Sequence, residues 1–324
     1  MGLYDALREL ELEIEDVSLE RRETAVSTEF TRVTTTVVLA GRGEAGQGED
    51  VTYDAKAHDG FPELRERGRT TVGDFSERLE PYGFEDFRRW AFESAALDLA
   101  LLQNGLSLAR ALDRGYGPVR FVVSTRGDAF AWLEQDPSLE LKLDPEAGWD
   151  RPFMERLAAT GRVRVLDLKA YYRGTVVDLA PDPELYRNVV EVFPDVVIED
   201  AALDGECRAA LRGAEERLSF DAPVHSLADL RALPIEPRWL NVKPSRFGTV
   251  ERLLECLDYC EQHGIRMYGG GQFELGPGRA QIQALASLFY PDGPNDVAPA
   301  VYNEGGPRPG LARSPLDPPE KPGF

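Results

Sequence analysis

The chain has 324 residues, of which 42% are hydrophobic and 29% are charged. A chain of this length buries a large core without disulfide bonds or structural zinc. It carries 37 Lys and Arg against 57 Asp and Glu, a formal net charge of −20. Such a surface repels phosphate backbones and anionic lipid, so we expect neither a nucleic-acid nor a membrane partner. An anionic ligand would need local positive charge from a metal ion or from lysines.

The three cysteines, Cys207, Cys256 and Cys260, are odd in number and lack the spacing of a disulfide framework. Cys256 and Cys260 lie four residues apart on a predicted helix, where packing is favoured over metal binding. The N-terminus is acidic rather than basic and apolar, and no apolar run reaches the length of a membrane span. We therefore expect a cytoplasmic protein.

The first 115 residues predict a small α+β unit. Residues 30–53 hold a β-branched run broken by a glycine-rich turn, which predicts an antiparallel meander. The stretch Gly41–Gly46 (GRGEAG) is interpreted as a turn rather than a phosphate cradle, because acidic, non-helical sequence follows it. From Thr71 to Arg114 the apolar residues recur at helical spacing.

After Pro118, short β-rich runs alternate with helical stretches at steps of roughly 20 to 33 residues, the length of a strand–helix repeat. A parallel barrel accounts for this rhythm better than a doubly wound open sheet, which stays the alternative because spacing alone does not show closure. The predicted strands are 119–125, 139–143, 163–169, 196–200, 218–224, 239–243 and 265–271, with 296–302 as a candidate eighth.

Ionisable residues fall at the C-terminal ends of five consecutive predicted strands. In chain order they are Lys142, Asp167, Glu199, Asp221 and Lys243. Because the C-terminal ends of barrel strands converge on one face, we expect these side chains to meet around one pocket. One such residue alone is more often a solvated loop residue or half of a salt bridge. Three acids between two lysines, one in each repeat, favour a site.

The chemistry of the five residues is complementary. Asp167, Glu199 and Asp221 offer three hard oxygen ligands that suit Mg²⁺. Lys142 and Lys243 flank them in strand order, and a divalent cation beside a lysine lowers its pKa enough for base catalysis. The pattern indicates removal of a proton next to a substrate carboxylate, with the metal stabilising the enediolate that forms.

These residues and their flanks resemble the enolase superfamily, and within it the muconate-lactonizing subgroup. Within that subgroup, the sequence segments are most similar to those of the o-succinylbenzoate synthases and the N-acylamino acid racemases. The segments that carry the resemblance are LKLDPEAGWD (141–150), VLDLKAYY (165–172), VVIEDAA, LSFDAPVHSLADL, LNVKPSRFG and GGGQFELGPGRAQIQALASL. Residues 30–51 look like the Gly-x-Gly-Glu segment of the capping domain.

The resemblance implies an α/β fold, a modified (β/α)7β TIM-type barrel with an N-terminal α+β capping domain. We expect the capping domain at 1–115, joined by the tail 304–324, and the barrel at 116–303. It implies Mg²⁺ as the cofactor, held by the three acids, and the two lysines as the acid/base pair. The candidate substrate contacts are Lys169, Gly270, Gly271 and His58.

The resemblance leaves the reaction open. Dehydration to an o-succinylbenzoate-like product is the first choice, and racemisation of an N-acylated amino acid or epimerisation of a dipeptide is the second. Three departures, Glu140, Lys169 and Ala222, keep open a metal-binding barrel without turnover. The expected partner is a small carboxylate substrate, and a homo-oligomer stays an open option.

Overall fold

The computed structural model describes residues 2–26, 30–175, 177–319 and 321–324. The N-terminal part pairs β1 with β5 in one antiparallel ribbon and β2, β3 and β4 in a second antiparallel sheet. Three helices follow. The elements are β1 (Glu11–Ile14), β2 (Asp16–Ala25), β3 (Thr31–Gly41), β4 (Glu44–Asp50), β5 (Gly68–Thr71), α1 (Val72–Leu79), α2 (Asp86–Gln103) and α3 (Leu108–Ala111).

The predicted meander is present as the hairpin of β3 and β4, with Arg42 and Gly43 at its turn. Strand β2 was not predicted, because its side chains are nearly all exposed and polar. The glycines of β4 let helix α2 lie directly on the sheet. A Cβ atom at Gly46 would lie 2.2 Å from the backbone nitrogen of Leu99, and one at Gly48 would lie 2.1 Å from the carbonyl of Ala91.

The rest of the chain forms a parallel sheet whose seven described strands pair in sequence order. Each predicted strand is present in shortened form. The strands are β6 (Val123–Thr125), β7 (Leu141–Leu143), β8 (Val163–Asp167), β9 (Val197–Glu199), β10 (Leu218–Phe220), β11 (Trp239–Val242) and β12 (Arg266–Gly269). The helices are α4 (Ala129–Gln135), α5 (Arg151–Ala159), α6 (Pro183–Val192), α7 (Gly205–Ala210), α8 (Leu227–Arg231), α9 (Pro244–Phe247), α10 (Val250–His263) and α11 (Gly278–Phe289).

Two residues near the end of the chain close the sheet into a barrel. Val122 donates its backbone N–H to the carbonyl of Asn295 at 2.8 Å, and Asp296 donates to the carbonyl of Gly269 at 2.8 Å. The predicted eighth strand over 296–302 is therefore reduced to this bridge. Pro299 has no N–H to continue the ladder, and a 3-10 turn follows at Ala300–Asn303. The predicted barrel with its capping unit is confirmed, and the open sheet is not formed.

The chain end returns to the N-terminal helices. Gly323 donates its N–H to the carbonyl of Leu106 at 2.9 Å, and Leu108 donates to the carbonyl of Gly323 at 3.2 Å. The ring of Phe324 meets that of Trp90 edge-on at 6.1 Å between centroids. Cys256 and Cys260 are buried in the face of α10. Among the helices of the described residues, none is both long and apolar enough to span a bilayer.

Candidate active site

The five predicted residues meet at the C-terminal face of the barrel. Lys142 points inward from β7, between Leu141 and Leu143, because side chains alternate along a strand. Its ammonium nitrogen lies 2.7 Å from both carboxylate oxygens of Glu199 and 3.4 Å from Asp167 Oδ2.

Lys243 approaches the group of carboxylates from the side opposite to Lys142. It follows β11, and its Nζ lies 2.7 Å from Asp221 Oδ2. The two lysine side chains are 2% and 8% exposed, and the side chains of Asp167, Glu199 and Asp221 are fully buried. The arrangement thus has the predicted order, with one amine on each flank of the acids.

Three polar residues that the sequence analysis did not single out support Glu199. Tyr268 donates its hydroxyl to Glu199 Oε2 at 2.5 Å, and Asn241 donates its amide to Oε1 at 3.1 Å. Ser219 lies within hydrogen-bond distance of the Tyr268 hydroxyl, at 3.0 Å. All three point into the barrel. The sequence did indicate an inward side chain at Asn241, because Asn241 lies two residues before Lys243 and side chains two apart on a strand point to the same face.

Asp200 is a fourth buried acid in the group, also missed from the sequence. Its oxygens accept the backbone N–H groups of Asp221 at 2.8 Å and Ala222 at 3.0 Å. Carboxylate oxygens of Asp167, Glu199 and Asp200 lie within 4.8 Å of one another. Two sets of three acids therefore share Asp167 and Glu199, and they differ in whether Asp200 or Asp221 completes them.

The donor set fits a hard divalent cation. All four acids are buried, and clustered carboxylates without a cation repel one another. Both oxygens of Asp200 are engaged by backbone N–H groups. Asp221 Oδ1, by contrast, accepts no hydrogen bond among the described residues, although Arg246 Nε lies 3.2 Å away. Asp221 therefore has an oxygen without a hydrogen-bond donor that a cation could use, whereas both oxygens of Asp200 hold the backbone of Asp221 and Ala222.

The electrostatics of the group follow from burial and mutual charge. Burial and the charge of Asp167 raise the pKa of Glu199, and the ammonium of Lys142 opposes them. Burial of Lys142 lowers its pKa, but the charges of Glu199 and Asp167 outweigh burial and raise the pKa well above its ordinary value. The lowered lysine pKa expected from the sequence assumed a neighbouring divalent cation, whereas the carboxylates alone act in the opposite direction.

Arg246 and Tyr172 form a second polar layer around Asp221. Tyr172 donates its hydroxyl to Asp221 Oδ2 at 2.8 Å, and Arg246 donates to the Tyr172 hydroxyl at 2.9 Å. With its amide oriented to satisfy both groups, Gln272 accepts from Arg246 Nε at 2.9 Å. Asp221 is therefore held by Tyr172 and Arg246, and Gln272 reaches it only through Arg246.

Lys169, one of the departures from the family pattern, lies beside this group. Its ammonium contacts Asp167 Oδ2 and lies 3.5 Å from Asp144 Oδ1, and its backbone has a positive φ of 53°. It lines a cavity of about 750 Å³ above the acids. The other residues around this cavity include Phe30, Tyr53, Tyr172, Lys243, Gly271, Gln272, Phe273, Arg279, Asp296 and Tyr302.

The glycine candidates lie at close approaches. A Cβ at Gly270 would lie 2.4 Å from Asn241 Oδ1 and 2.9 Å from Lys243 Cε, so the missing side chain makes room for the lysine. Gly271 lines the cavity itself. The absence of a side chain at Gly270 therefore leaves room for Lys243, while Gly271 borders the cavity.

His58 and Glu140 lie apart from the carboxylates. His58 is buried in the N-terminal unit, where its ring nitrogens lie 2.9 Å from Thr35 Oγ1 and 2.9 Å from the carbonyl of Thr52. It is not among the residues that line the cavity. Glu140 forms ion pairs with Arg120 and Arg164, at 2.5 and 2.7 Å.

Comparison with known proteins places this geometry in context. The family described as "Domain of unknown function (DUF8230) C-terminal domain" matches residues 115–304, and its N-terminal counterpart matches residues 5–111. An o-succinylbenzoate synthase of Bacillus subtilis (strain 168) is 41% identical over 231 residues, which cover 68% of this chain and 62% of that relative. An N-succinylamino acid racemase of an Amycolatopsis species is 27% identical over 271 residues, 78% of this chain and 71% of the relative.

Solved structures share the fold. A dipeptide epimerase from Methylococcus capsulatus, complexed with an Mg ion, superposes with a TM-score of 0.73 at 18% identity, covering 96% of this chain and 98% of that one. Other structures with the same fold are members of the enolase superfamily. The resemblance predicted from the sequence is thereby confirmed, and the relatives are enzymes. The chain spans about two thirds of the length of these curated relatives.

Proposed function

This chain belongs to the DUF8230 family and is similar to members of the enolase superfamily, and from that premise we propose that it catalyses Mg²⁺-dependent removal of a proton alpha to a carboxylate. The observation that carries the proposal is the placement of Lys142 and Lys243 on opposite flanks of one buried group of acids. Two lysines that were only solvated or ion-paired would have no need to lie at two separate strand ends around the same acids.

Asp167, Glu199 and Asp221 would hold the metal ion, with Asp200 keeping Asp221 in position. When bound, Mg²⁺ would supply the positive charge that neutralises these acids, lowers the lysine pKa values and stabilises an enediolate. The net charge of −20 adds to the argument, because a carboxylate substrate needs this local positive charge to enter the site.

The chain's own groups divide the remaining work. Lys243 borders the cavity, so its Nζ would move a proton to or from the substrate α-carbon. Lys142 lies on the opposite flank of the acids, with its Nζ 3.7 Å from Asp296 Oδ2 at the cavity wall, and would act on the other face. Lys169 borders the same cavity and would pair with the substrate carboxylate. Aromatic side chains such as Tyr53, Phe273 and Tyr302 would enclose an apolar substrate body and exclude water.

We put dehydration of the o-succinylbenzoate synthase type first. It is supported by the 41% identity to the Bacillus synthase, and a syn elimination needs a single lysine as base and then as acid. Racemisation or epimerisation of an N-acylated amino acid or a dipeptide is the second candidate. It is supported by the retention of a lysine on both flanks, since inverting a centre needs one amine on each face.

The test is hydrogen exchange at the substrate α-carbon in D₂O with Mg²⁺. The carboxylates to be screened are the o-succinylbenzoate synthase substrate, N-acylated amino acids and dipeptides, each followed by NMR. We expect exchange or turnover of one class that EDTA abolishes. The exposed cap lysine Lys56, changed to Ala, is the matched control for Lys142→Ala and Lys243→Ala. Absence of exchange across all three classes would favour a metal-binding barrel without turnover.

A further inference from the structure

The segment that follows β12, residues 271–278 and here named the 271–278 loop, forms one wall of the cavity through Gly271, Gln272 and Phe273. It also faces the N-terminal unit. Two charged residues of that unit, Arg32 on β3 and Glu49 on β4, reach the loop, and both are buried, at 0% and 1% exposure. Neither borders the cavity.

Arg32 joins the two units through carbonyl groups. Its guanidinium donates to the carbonyls of Val51 at 2.6 Å and Thr52 at 2.8 Å on its own side. It also donates to Gln272 at 2.9 Å and Phe273 at 3.1 Å on the barrel side. A guanidinium has five N–H donors in a fixed plane, so four carbonyls around it hold one another in a set geometry.

Glu49 holds the other end of the loop. Its carboxylate accepts the backbone N–H groups of Leu275 at 2.7 Å, Gly276 at 2.9 Å and Gly278 at 3.0 Å. A Cβ at Gly278 would lie 2.8 Å from Glu49 Oε2, so the loop carries glycine where the carboxylate approaches. Burial raises the pKa of Glu49, and the charge of Glu274 adds to this.

The part of the loop that Arg32 contacts is strained and touches the site. Phe273, which borders the cavity, has a positive φ of 59°, a conformation that a bulky residue keeps only when its surroundings impose it. Gln272 pairs with Arg246, and Arg246 lies 3.2 Å from Asp221. A shift of the loop would therefore move both the cavity wall and the partner of a proposed metal ligand.

We propose that Arg32 and Glu49 are positioning residues that hold the 271–278 loop in the shape that completes the substrate cavity. Arg32 and Glu49 thus act on the site through buried contacts to the loop backbone and do not border the substrate cavity themselves. The kinetic consequence of this proposal rests on the function proposed above, whereas the structural consequence for the loop does not.

The experiment compares Arg32→Met, Arg32→Lys and Glu49→Gln with Arg88→Met. Arg88 is the matched control, because it pairs with Asp50 at 3.0 Å and with the carbonyl of Ala57, within the N-terminal unit. Amide hydrogen exchange of residues 271–278 and the melting temperature are measured for each variant. The values of kcat and KM are measured on the substrate that the α-carbon exchange screen identifies.

We expect Arg32→Met and Glu49→Gln to speed amide exchange in the 271–278 loop by about tenfold or more. We expect them to raise KM by about tenfold with a smaller change in kcat, because the lysines and acids stay in place. Arg32→Lys should recover part of the loop protection. Arg88→Met should lower the melting temperature and leave loop exchange unchanged.

The proposal is overturned if Arg32→Met and Glu49→Gln lower the melting temperature as Arg88→Met does but leave loop exchange unchanged. If Arg32→Met does not fold, Glu49→Gln decides alone. If the wild-type protein turns over no carboxylate, the proposed function fails, and loop exchange still decides whether Arg32 and Glu49 hold the loop.

Discussion

The ammonium nitrogen of Lys142 lies 2.7 Å from each carboxylate oxygen of Glu199, although the two residues are 57 positions apart in the chain. Both side chains are buried, so each is the main neutraliser of the other. Removal of one partner of such a pair leaves a buried unpaired charge, at a cost of about 3–5 kcal/mol. The same contact therefore bears on folding and on the proposed chemistry.

Replacing Lys142 or Lys243 with Ala should each reduce turnover by about 10²–10⁴-fold, the range for loss of a general acid or base. If the reaction is a dehydration, one of the two should be far more damaging; if it inverts a centre, exchange should be lost from one face in each variant. Rates are measured by NMR in D₂O, with Lys56→Ala as the control. Intact turnover in both variants would contradict the assigned roles.

Asp221→Asn and Asp200→Asn should separate a ligand from the residue that holds it. We expect Asp221→Asn to weaken Mg²⁺ binding by more than about 100-fold, and Asp200→Asn by about tenfold, because Asp200 acts through the backbone of Asp221 and Ala222. Isothermal titration of metal-free protein measures both. The reverse order would make Asp200, with Asp167 and Glu199, the metal-binding set.

Lys169→Asn, which removes the ammonium and keeps a polar side chain, should tighten Mg²⁺ binding by at least about tenfold. The Lys169 ammonium contacts Asp167, so its removal relieves competition with the metal ion for that carboxylate. The control is Lys56→Asn, which removes the same charge from an exposed position. Weaker binding in Lys169→Asn would show that the ammonium supports the metal site instead.

Gly270→Ala should lower turnover by about tenfold or more while leaving the fold intact, because the added Cβ would lie 2.4 Å from Asn241 Oδ1 and 2.9 Å from Lys243 Cε. Gly60→Ala is the control, since a Cβ there meets nothing within 4 Å. Steady-state rates and melting temperatures are compared. Equal turnover in the two variants would exclude a role for Gly270 in placing Lys243.

The contact of His225 in the barrel with Asp86 in the N-terminal unit should make the stability of the protein depend on pH. The hydrogen bond to Asp86, at 2.9 Å, raises the pKa of His225, with Asp229 adding and burial and Arg246 opposing. Because the folded pKa lies above the unfolded value of about 6.5, the stabilisation is full below that value and is lost as pH rises through the folded pKa. NMR titration should show the raised pKa, and Asp86→Asn should lower it.

The melting temperature supplies the second measurement for this pair. Asp86→Asn should destabilise the protein more at about pH 6 than at about pH 9, since His225 is charged at the lower pH. The His225→Gln background is the control, in which this difference between the two pH values should vanish. A difference that persists in that background would assign the pH dependence to another group.

Local patterns predicted most of the architecture. Alternation of β-rich and helical runs indicated the barrel strands, and one charged residue at each strand end predicted the meeting of Lys142, Asp167, Glu199, Asp221 and Lys243. These predictions succeed because strand phase and strand direction are local properties, and a parallel barrel converts them into convergence on one face.

Other features depended on contacts between residues far apart in the chain, which no local pattern encodes. The sequence did not show that Asp200 accepts the backbone of the next strand, or that Tyr268 would lie against Glu199 across the barrel. It did not show that Arg32 and Glu49 would reach a loop more than 200 positions away. Each of these contacts is set by how the barrel closes and how the N-terminal unit lies on it. The sequence by itself determined which groups face inward, and the tertiary structure decided which of them touch, because distance between remote residues follows from packing and not from periodicity.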